Sequence, residues 1–255
     1  MYDRRNPPVD QSAAGFGQLT PFAFHVDAST RVGILTIHSF DVDNANEWKA
    51  FLHRTLAELK ARHARALVID VRQNSGGDTD LSDDLLRIFA RTSFRDFSEV
   101  DAKISAVTKR ALGHDRYIEI YGPDAWSATD GTTLIEPIAY ENPLPRNARF
   151  PGKVYVLVGS GTYSTAAIFA AAAQDSHSAT IVGQESGGLP TLYGEAFPFT
   201  LPESGISATV STKYLVRADS DRRPHGVIPD KDFQETPEGQ RDSELKSAVE
   251  LAAGR

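Results

Sequence analysis

The stretch Val154–Asp175, VYVLVGSGTYSTAAIFAAAAQD, decides the fold. An apolar run of strand character breaks at Gly159 and Gly161, reaches Ser164, and continues into a helix dominated by alanine. Small residues at Ala166, Ala167 and Ala170 to Ala173 allow close approach to a sheet or another helix, so this helix is central and Ser164 stands at or near its N-terminus. Unpaired backbone N–H groups and the positive end of the macrodipole favour negative charge there. The ordinary reading of such a serine is an N-cap. The functional reading is a hydroxyl displayed where charge can be stabilised.

Outward from this stretch the pattern repeats. ALVIDVR (Ala66–Arg72) suits a buried strand, QNSGGDTD is a glycine turn, and a helix follows over about Asp80–Arg91. Before them, VGILTIHSF (Val32–Phe40) is strand-like, and Asn44 with Glu47 makes a capping pair for a helix whose Trp48, Phe51, Leu52, Leu56 and Leu59 share one face. After the alanine helix come ATIVG, the turn QESGGLPTLYG, a strand pair around AFPFTLPESGISATVSTKYLV, then GVIPD, a polar linker and a helix from about Asp242 that docks through Leu245, Val249 and Ala252. Strands alternating with helices predict an α/β domain with a largely parallel sheet. Thr92–Phe150 reads instead as an irregular insertion or flap, and residues 1–24 as a linker or the remnant of a missing N-terminal region ahead of a domain spanning 25–255.

The 255 residues are 40% hydrophobic, enough for a sizeable core. The net charge of −7 comes with no Lys/Arg-rich block, which argues against nucleic acid as a partner. The absence of cysteine excludes disulfides, thiolate metal sites and a cysteine nucleophile. No apolar run approaches the roughly 18 residues of a membrane span, and the opening MYDRRNPPVDQSAAGFG lacks the apolar core of a signal peptide; a targeting signal would belong to a longer precursor. The acidic run DTDLSDD lacks the spacing and glycine of a calcium loop, and neither HExxH nor a phosphate-binding glycine loop occurs, so neither metal nor organic cofactor is expected.

Gly76 and Gly77 follow a buried strand and can adopt positive φ, exposing backbone N–H groups at the strand's carboxyl end, where ligands of open α/β sheets bind. Two glycine turns, one beside a serine at a helix start, can compose an oxyanion hole. Either turn alone is equally an ordinary strand-to-helix connection.

Taken in order, GILTIHSF, ALVIDVRQNSGG, KVYVLVGSGTYSTAAIFAAAAQD, ATIVGQESGG, LPESG and HGVIPD resemble the C-terminal processing (tail-specific) serine peptidases and their tricorn-like relatives. The likeness covers roughly Val32–Asp230, with a gap at Thr92–Phe150. It implies a ClpP/crotonase-like fold of stacked strand-strand-helix units, with Ser164 as nucleophile and the N–H of Thr165 plus Gly76 or Gly77 as oxyanion donors. Asp175, eleven residues after the serine, matches an acidic position that supports the site; a plain charge near the helix end is the alternative.

One departure bears on mechanism. Where the processing peptidases carry their general-base lysine in a Gly-Lys step, this chain reads Gly188-Leu189, and leucine accepts no proton. The tricorn-like branch uses histidine, held by a glutamate that precedes its Gly-Val-x-Pro-Asp segment. Here Arg223 stands about where that glutamate falls, His225 directly precedes GVIPD, and His38 lies two residues beyond the branch's histidine on the same strand face. His38 and His225 are the candidate bases, with His25 behind them; His53, His63, His114 and His177 read as surface residues.

The resulting expectation is a serine endopeptidase working through an acyl-enzyme with a Ser-His arrangement. Its substrate would be a peptide or unfolded protein laid along a strand edge near LPTLYG. A periplasmic or secreted location follows from the resemblance alone, and the oligomeric state is left open. Leu189 and Arg223 motivate a rival, a peptide-binding module of the same fold that has lost turnover. An acyl-CoA enzyme of the crotonase type would need an adenine-phosphate site, and the sequence shows no basic cluster to supply one.

Overall fold

The computed structural model describes residues 20–233 and 242–255. Residues 1–19 of the expected linker, and the polar stretch 234–241, lie outside the described residues.

β1 (Phe22–Asp27) runs antiparallel to β2 (Val32–Ile37), and β3 (Ala66–Asp70), β6 (Lys153–Val158), β7 (Thr180–Gly183) and β10 (Lys231–Asp232) continue the sheet in parallel, in the order β1-β2-β3-β6-β7-β10. The central strands show the two-residue alternation of a sheet covered on both faces. Leu35, Ile37, Leu67, Ile69, Val156 and Val158 face a core shared with α1 (Ala45–Ala61), α2 (Thr79–Arg87) and α4 (Thr165–Asp175). Ile34, Val68, Tyr155, Leu157 and Val182 face α5 (Ser243–Ala253), which docks through Leu245, Val249 and Ala252 as expected. The α1 stripe is buried as its spacing predicts, but Asn44 caps by accepting from the Asn46 N–H.

The segment Thr92–Phe150 corrects the expectation of an irregular flap. It holds β4 (Phe97–Lys103), α3 (Ala106–Tyr121) and β5 (Thr133–Pro137), and β4 and β5 join β8 (Leu192–Thr200) and β9 (Ser207–Arg217) in an antiparallel sheet ordered β5-β4-β9-β8. The strands were hard to read because little of them is buried: FSEVDAK and TLIEP bury only Ser98 and Ala102. The helical period of α3 is broken at Gly113, whose φ of 74° kinks it. Its Tyr117 and Tyr121 nevertheless close a separate core with Ala102 and Ile104. α2 ends at Arg87, earlier than its sequence pattern suggests.

Asp83 of α2 and Asp96, just before β4, contact each other through their carboxyl groups. Burial, then the charges of Asp96 and Glu141, pushes Asp83 up to about 8 against the counter-effect of Arg87; burial foremost raises Asp96 to about 6. Folded protein therefore retains a proton that an unfolded chain, with a carboxyl pKa of about 3.9, has released. The pair's contribution is fully present below about pH 4 and is lost progressively as pH rises from there to about 8. The unfolding midpoint should thus fall between about pH 5 and about pH 8, and Asp83→Asn should flatten that fall by at least about 1 kcal/mol in chemical denaturation. An unchanged slope in the variant would remove the pair from the explanation.

Candidate active site

β3 and β6 are neighbouring parallel strands, so the turns that leave their carboxyl ends face each other. Hydrogen bonds lace these turns together. Tyr163 N–H donates to the Asn74 carbonyl at 2.9 Å, Thr162 Oγ1 to the Val71 carbonyl at 2.9 Å, and Thr165 Oγ1 to the Gly77 carbonyl at 2.6 Å. Asn74 is fully buried, and its side-chain oxygen accepts the Gly76 N–H at 2.8 Å. No sequence pattern marks Asn74 or Thr162 as functional, although each sits inside a motif that does stand out, the Asn in QNSGG and the Thr in GTYS.

Ser164 occupies the N-cap position of α4 but does not cap it: its side chain makes no capping hydrogen bond, it is exposed, and its backbone sits at φ 47°, ψ −127°. That conformation is costly for a residue with a β-carbon. A satisfied N-cap serine would need neither the strain nor the exposure.

Gly76 lies directly against it. A β-carbon on Gly76, where φ is 112°, would fall 2.7 Å from Ser164 Cβ and 3.1 Å from both Ser164 Oγ and the Thr165 nitrogen. The space in front of hydroxyl and amide is therefore open only because residue 76 has no side chain. Asn74 already takes the Gly76 N–H, so of the glycine pair only the Gly77 N–H has no acceptor among the described residues. The Gly76 carbonyl accepts from the Phe40 N–H at 2.9 Å, and across a planar trans peptide the Gly77 N–H points the opposite way, away from the β2 side of the turn. Neither the Gly77 nor the Thr165 N–H donates to a described residue. The arrangement sets the Ser164 hydroxyl and the Thr165 amide on the gap before Gly76, at the positive end of a helix, with the Gly77 amide also free of a described acceptor.

Ser164 also opens into a cavity of about 400 Å³ walled by Tyr163, Leu189, Leu192, Tyr193, Tyr214 and Pro224. No titratable group other than tyrosine lines it.

The candidate bases are placed differently. His38, half-buried on the continuation of β2, has no ring hydrogen bond to a described residue and lies two residues before Phe40, whose backbone clasps Gly76 and Asp78. His225 is engaged at both nitrogens: Nδ1 donates to the Gly226 carbonyl at 2.6 Å and Nε2 meets Asp221 Oδ2 at 3.0 Å. Arg223 chelates the same Asp221 through Nε and Nη2, and this bond, the Arg223 N–H and His225 hold the Asp221 carboxyl well below its ordinary range. His25 is exposed on β1, opposite Ile34 and short of the strand ends where the turns meet.

Asp175 is not beside the serine. It ends α4, roughly 16 Å along the helix from Ser164 at 1.5 Å per residue. Its carboxylate receives Arg217 Nε at 3.0 Å and Nη2 at 2.7 Å, with the Asp219 N–H at 3.2 Å. Burial raises its pKa, and the Arg217 bonds oppose that rise. The pair ties the end of the central helix to the end of β9.

A family model described as Peptidase family S41 matches residues 31–233. Among solved structures, a peptidase candidate from Parabacteroides merdae aligns at 20% identity and a TM-score of 0.66, covering 91% of this chain and 64% of that one. The photosystem II D1 C-terminal processing protease aligns at 17% identity and 0.53, covering 84% and 48%, and mature CPAF complexed with lactacystin at 18% and 0.58, covering 88% and 50%. At these identities the likeness is one of fold, and the chain spans less than two thirds of each of the three. No curated protein matches significantly.

The Ser164 backbone carries a testable mark. Positive φ at a residue with a β-carbon costs about 1–3 kcal/mol, while glycine's extra chain entropy costs about 0.5–1 kcal/mol. Ser164→Gly should therefore be more stable than Ser164→Ala by about 1 kcal/mol in denaturant titration. An alanine variant equal to or better than glycine would show the turn to be unstrained.

Proposed function

The chain belongs to peptidase family S41, and from that premise we propose that it is a serine peptidase acting through an acyl-enzyme. The observation that carries this reading is the free, strained Ser164 hydroxyl facing a gap that only glycine at residue 76 leaves open. Ser164 Oγ attacks the scissile carbonyl, whose oxygen takes the Thr165 and Gly77 N–H groups. His38 removes the serine proton and gives it to the amine that leaves as the C–N bond breaks, and water then frees the acyl group; its ring is uncommitted whereas both His225 nitrogens have partners. No described imidazole is bonded to Ser164, and apo sites of this kind tighten when substrate binds. Asp175 supports the site at a distance by anchoring α4 through Arg217.

The substrate is an extended peptide or unfolded protein. β8 is the outer strand of its sheet and starts in the cavity wall at Leu192 and Tyr193, so its free edge can pair with a bound chain. The irregularity at Glu195, with φ 53°, and Pro198 interrupt that edge, confining pairing to the part near Ser164. The cavity favours a large apolar side chain next to the scissile bond.

A specific observation favours a second reading, a peptide-binding module without turnover: Leu189 lines the cavity where the processing peptidases carry lysine. A fluorophosphonate probe separates the two. Under the peptidase reading it labels Ser164; Ser164→Ala abolishes labelling, Gly76→Ala slows it by about 10²-fold or more, and His38→Gln slows it by at least about 10²-fold while His225→Gln leaves most of it. Folded protein that binds an apolar extended peptide but stays unlabelled is a module.

A further inference from the structure

At the amino-terminal ends of β3 and β6, opposite the serine, lies a cavity of about 560 Å³ between the last turns of α1 and residues 146–151. A smaller hollow of about 280 Å³ shares Arg146, Arg149, Phe150 and Pro151 with it and adds Arg91. The floor is apolar, built from Leu56, Leu59, Ala64 and Phe150, of which Leu59 and Phe150 are 1% and 5% exposed. The walls are cationic: Lys60, Arg146 and Arg149, with Arg91 alongside, and no carboxylate lines either hollow.

The four cations come from three separate segments, in a chain whose net charge is −7. Lys60 has a structural reason to be there, because it offsets the dipole at the end of α1. That reason does not extend to the three arginines. Arg91 and Arg149 are oriented by backbone carbonyls, of Pro151 and Gly152 and of Ala90 respectively, and neither is paired with a carboxylate among the described residues. Elsewhere, Arg72, Arg217 and Arg222 each hold carboxylates.

We propose that this cavity binds a small anionic amphiphile, a monomeric carboxylate with an apolar chain, whose head meets Arg146, Arg149 and Lys60 while its tail lies on Leu56, Leu59 and Phe150. The volume suits a small ligand, and apolar lining with a few convergent charges is the usual composition of such sites. The site is separated from Ser164 by at least the length of β6, about 20 Å for six residues, so a ligand here does not occupy the place of the scissile bond.

Titration calorimetry of the whole chain with decanoate below its micelle concentration tests this. Decanoate should bind at least about tenfold more tightly than acetate, which lacks the tail, and than decanol, which lacks the charge. Arg146→Glu, at an exposed position outside any helix or strand, should weaken it at least about tenfold at an unchanged unfolding midpoint, and Leu56→Asn should weaken it by way of the tail. Equal affinity for decanol, indifference to the charge reversal, or chemical-shift changes confined to the Leu189 and Tyr193 cavity would overturn the assignment. So would sedimentation with phosphatidylglycerol vesicles that excess decanoate does not reverse, since the cations would then belong to a lipid surface. None of these readouts depends on peptidase activity.

Discussion

The structure depends on one close approach of backbone to backbone. Adjacent strands lie about 4.8 Å apart, so the turns leaving β3 and β6 can touch only where no side chain intervenes. Gly76 supplies that position, with the Ser164 hydroxyl and the Thr165 amide both 3.1 Å from where a β-carbon would stand. The hydrogen bonds from Tyr163, Thr162 and Thr165 to the facing turn, with Asn74 bracing Gly76, hold the contact against the strain at Ser164. At about 1 kcal/mol each, four such bonds match or exceed a strain of about 1–3 kcal/mol. The exposed serine is thus a consequence of how the two turns are tied.

The parts of this arrangement legible in the sequence are those that burial imposes. Val154–Val158 and Ala66–Ile69 are apolar because helices cover both faces of their sheet, and the alanines of α4 are small because the helix lies against it. The glycine pair and Ser164 stand out as breaks in those runs. β4 and β5 were lost because a sheet with little buried surface places Glu99, Asp101 and Glu136 where a buried strand would have Val or Ile. Thr162 acts on the carbonyl of Val71 in a distant turn, which no local spacing announces, while Asn74 braces Gly76 within its own turn and meets the facing turn through its carbonyl. The same holds for the Asp175–Arg217 pair, whose members are 42 residues apart. The basic hollow is invisible for a related reason: Lys60, Arg91, Arg146 and Arg149 form no block until the sheet brings α1 and the approach to β6 together.

Leu189 acts in two directions. It lines the Ser164 cavity with carbon, and it leaves the hydroxyl without the amine that the processing peptidases would place there. Around His225 the chain carries a compensated cluster: Asp221 is shared between Arg223 and the imidazole, so the charge near GVIPD is largely satisfied within itself. The ring of His38, on the continuation of β2, has no hydrogen-bond partner among the described residues.

The difference between a peptidase and a binding module of this geometry is one of degree. A positioned base contributes about 10²–10⁴ in rate, whereas oxyanion donors and binding alone still leave about 10³–10⁴ over the reaction in water. The Thr165 and Gly77 amides proposed as donors have no described acceptor here, whichever group serves as the base. A chain that loses its lysine while keeping Gly76 open therefore keeps part of its chemistry for an activated carbonyl, and only an unactivated amide, whose leaving group must also be protonated, exposes the missing acid-base partner. The pressure on Gly76 is steric and that on residue 189 is acid-base, so the two positions can change independently, and the open gap at Gly76 is by itself no measure of how fast an amide is cut.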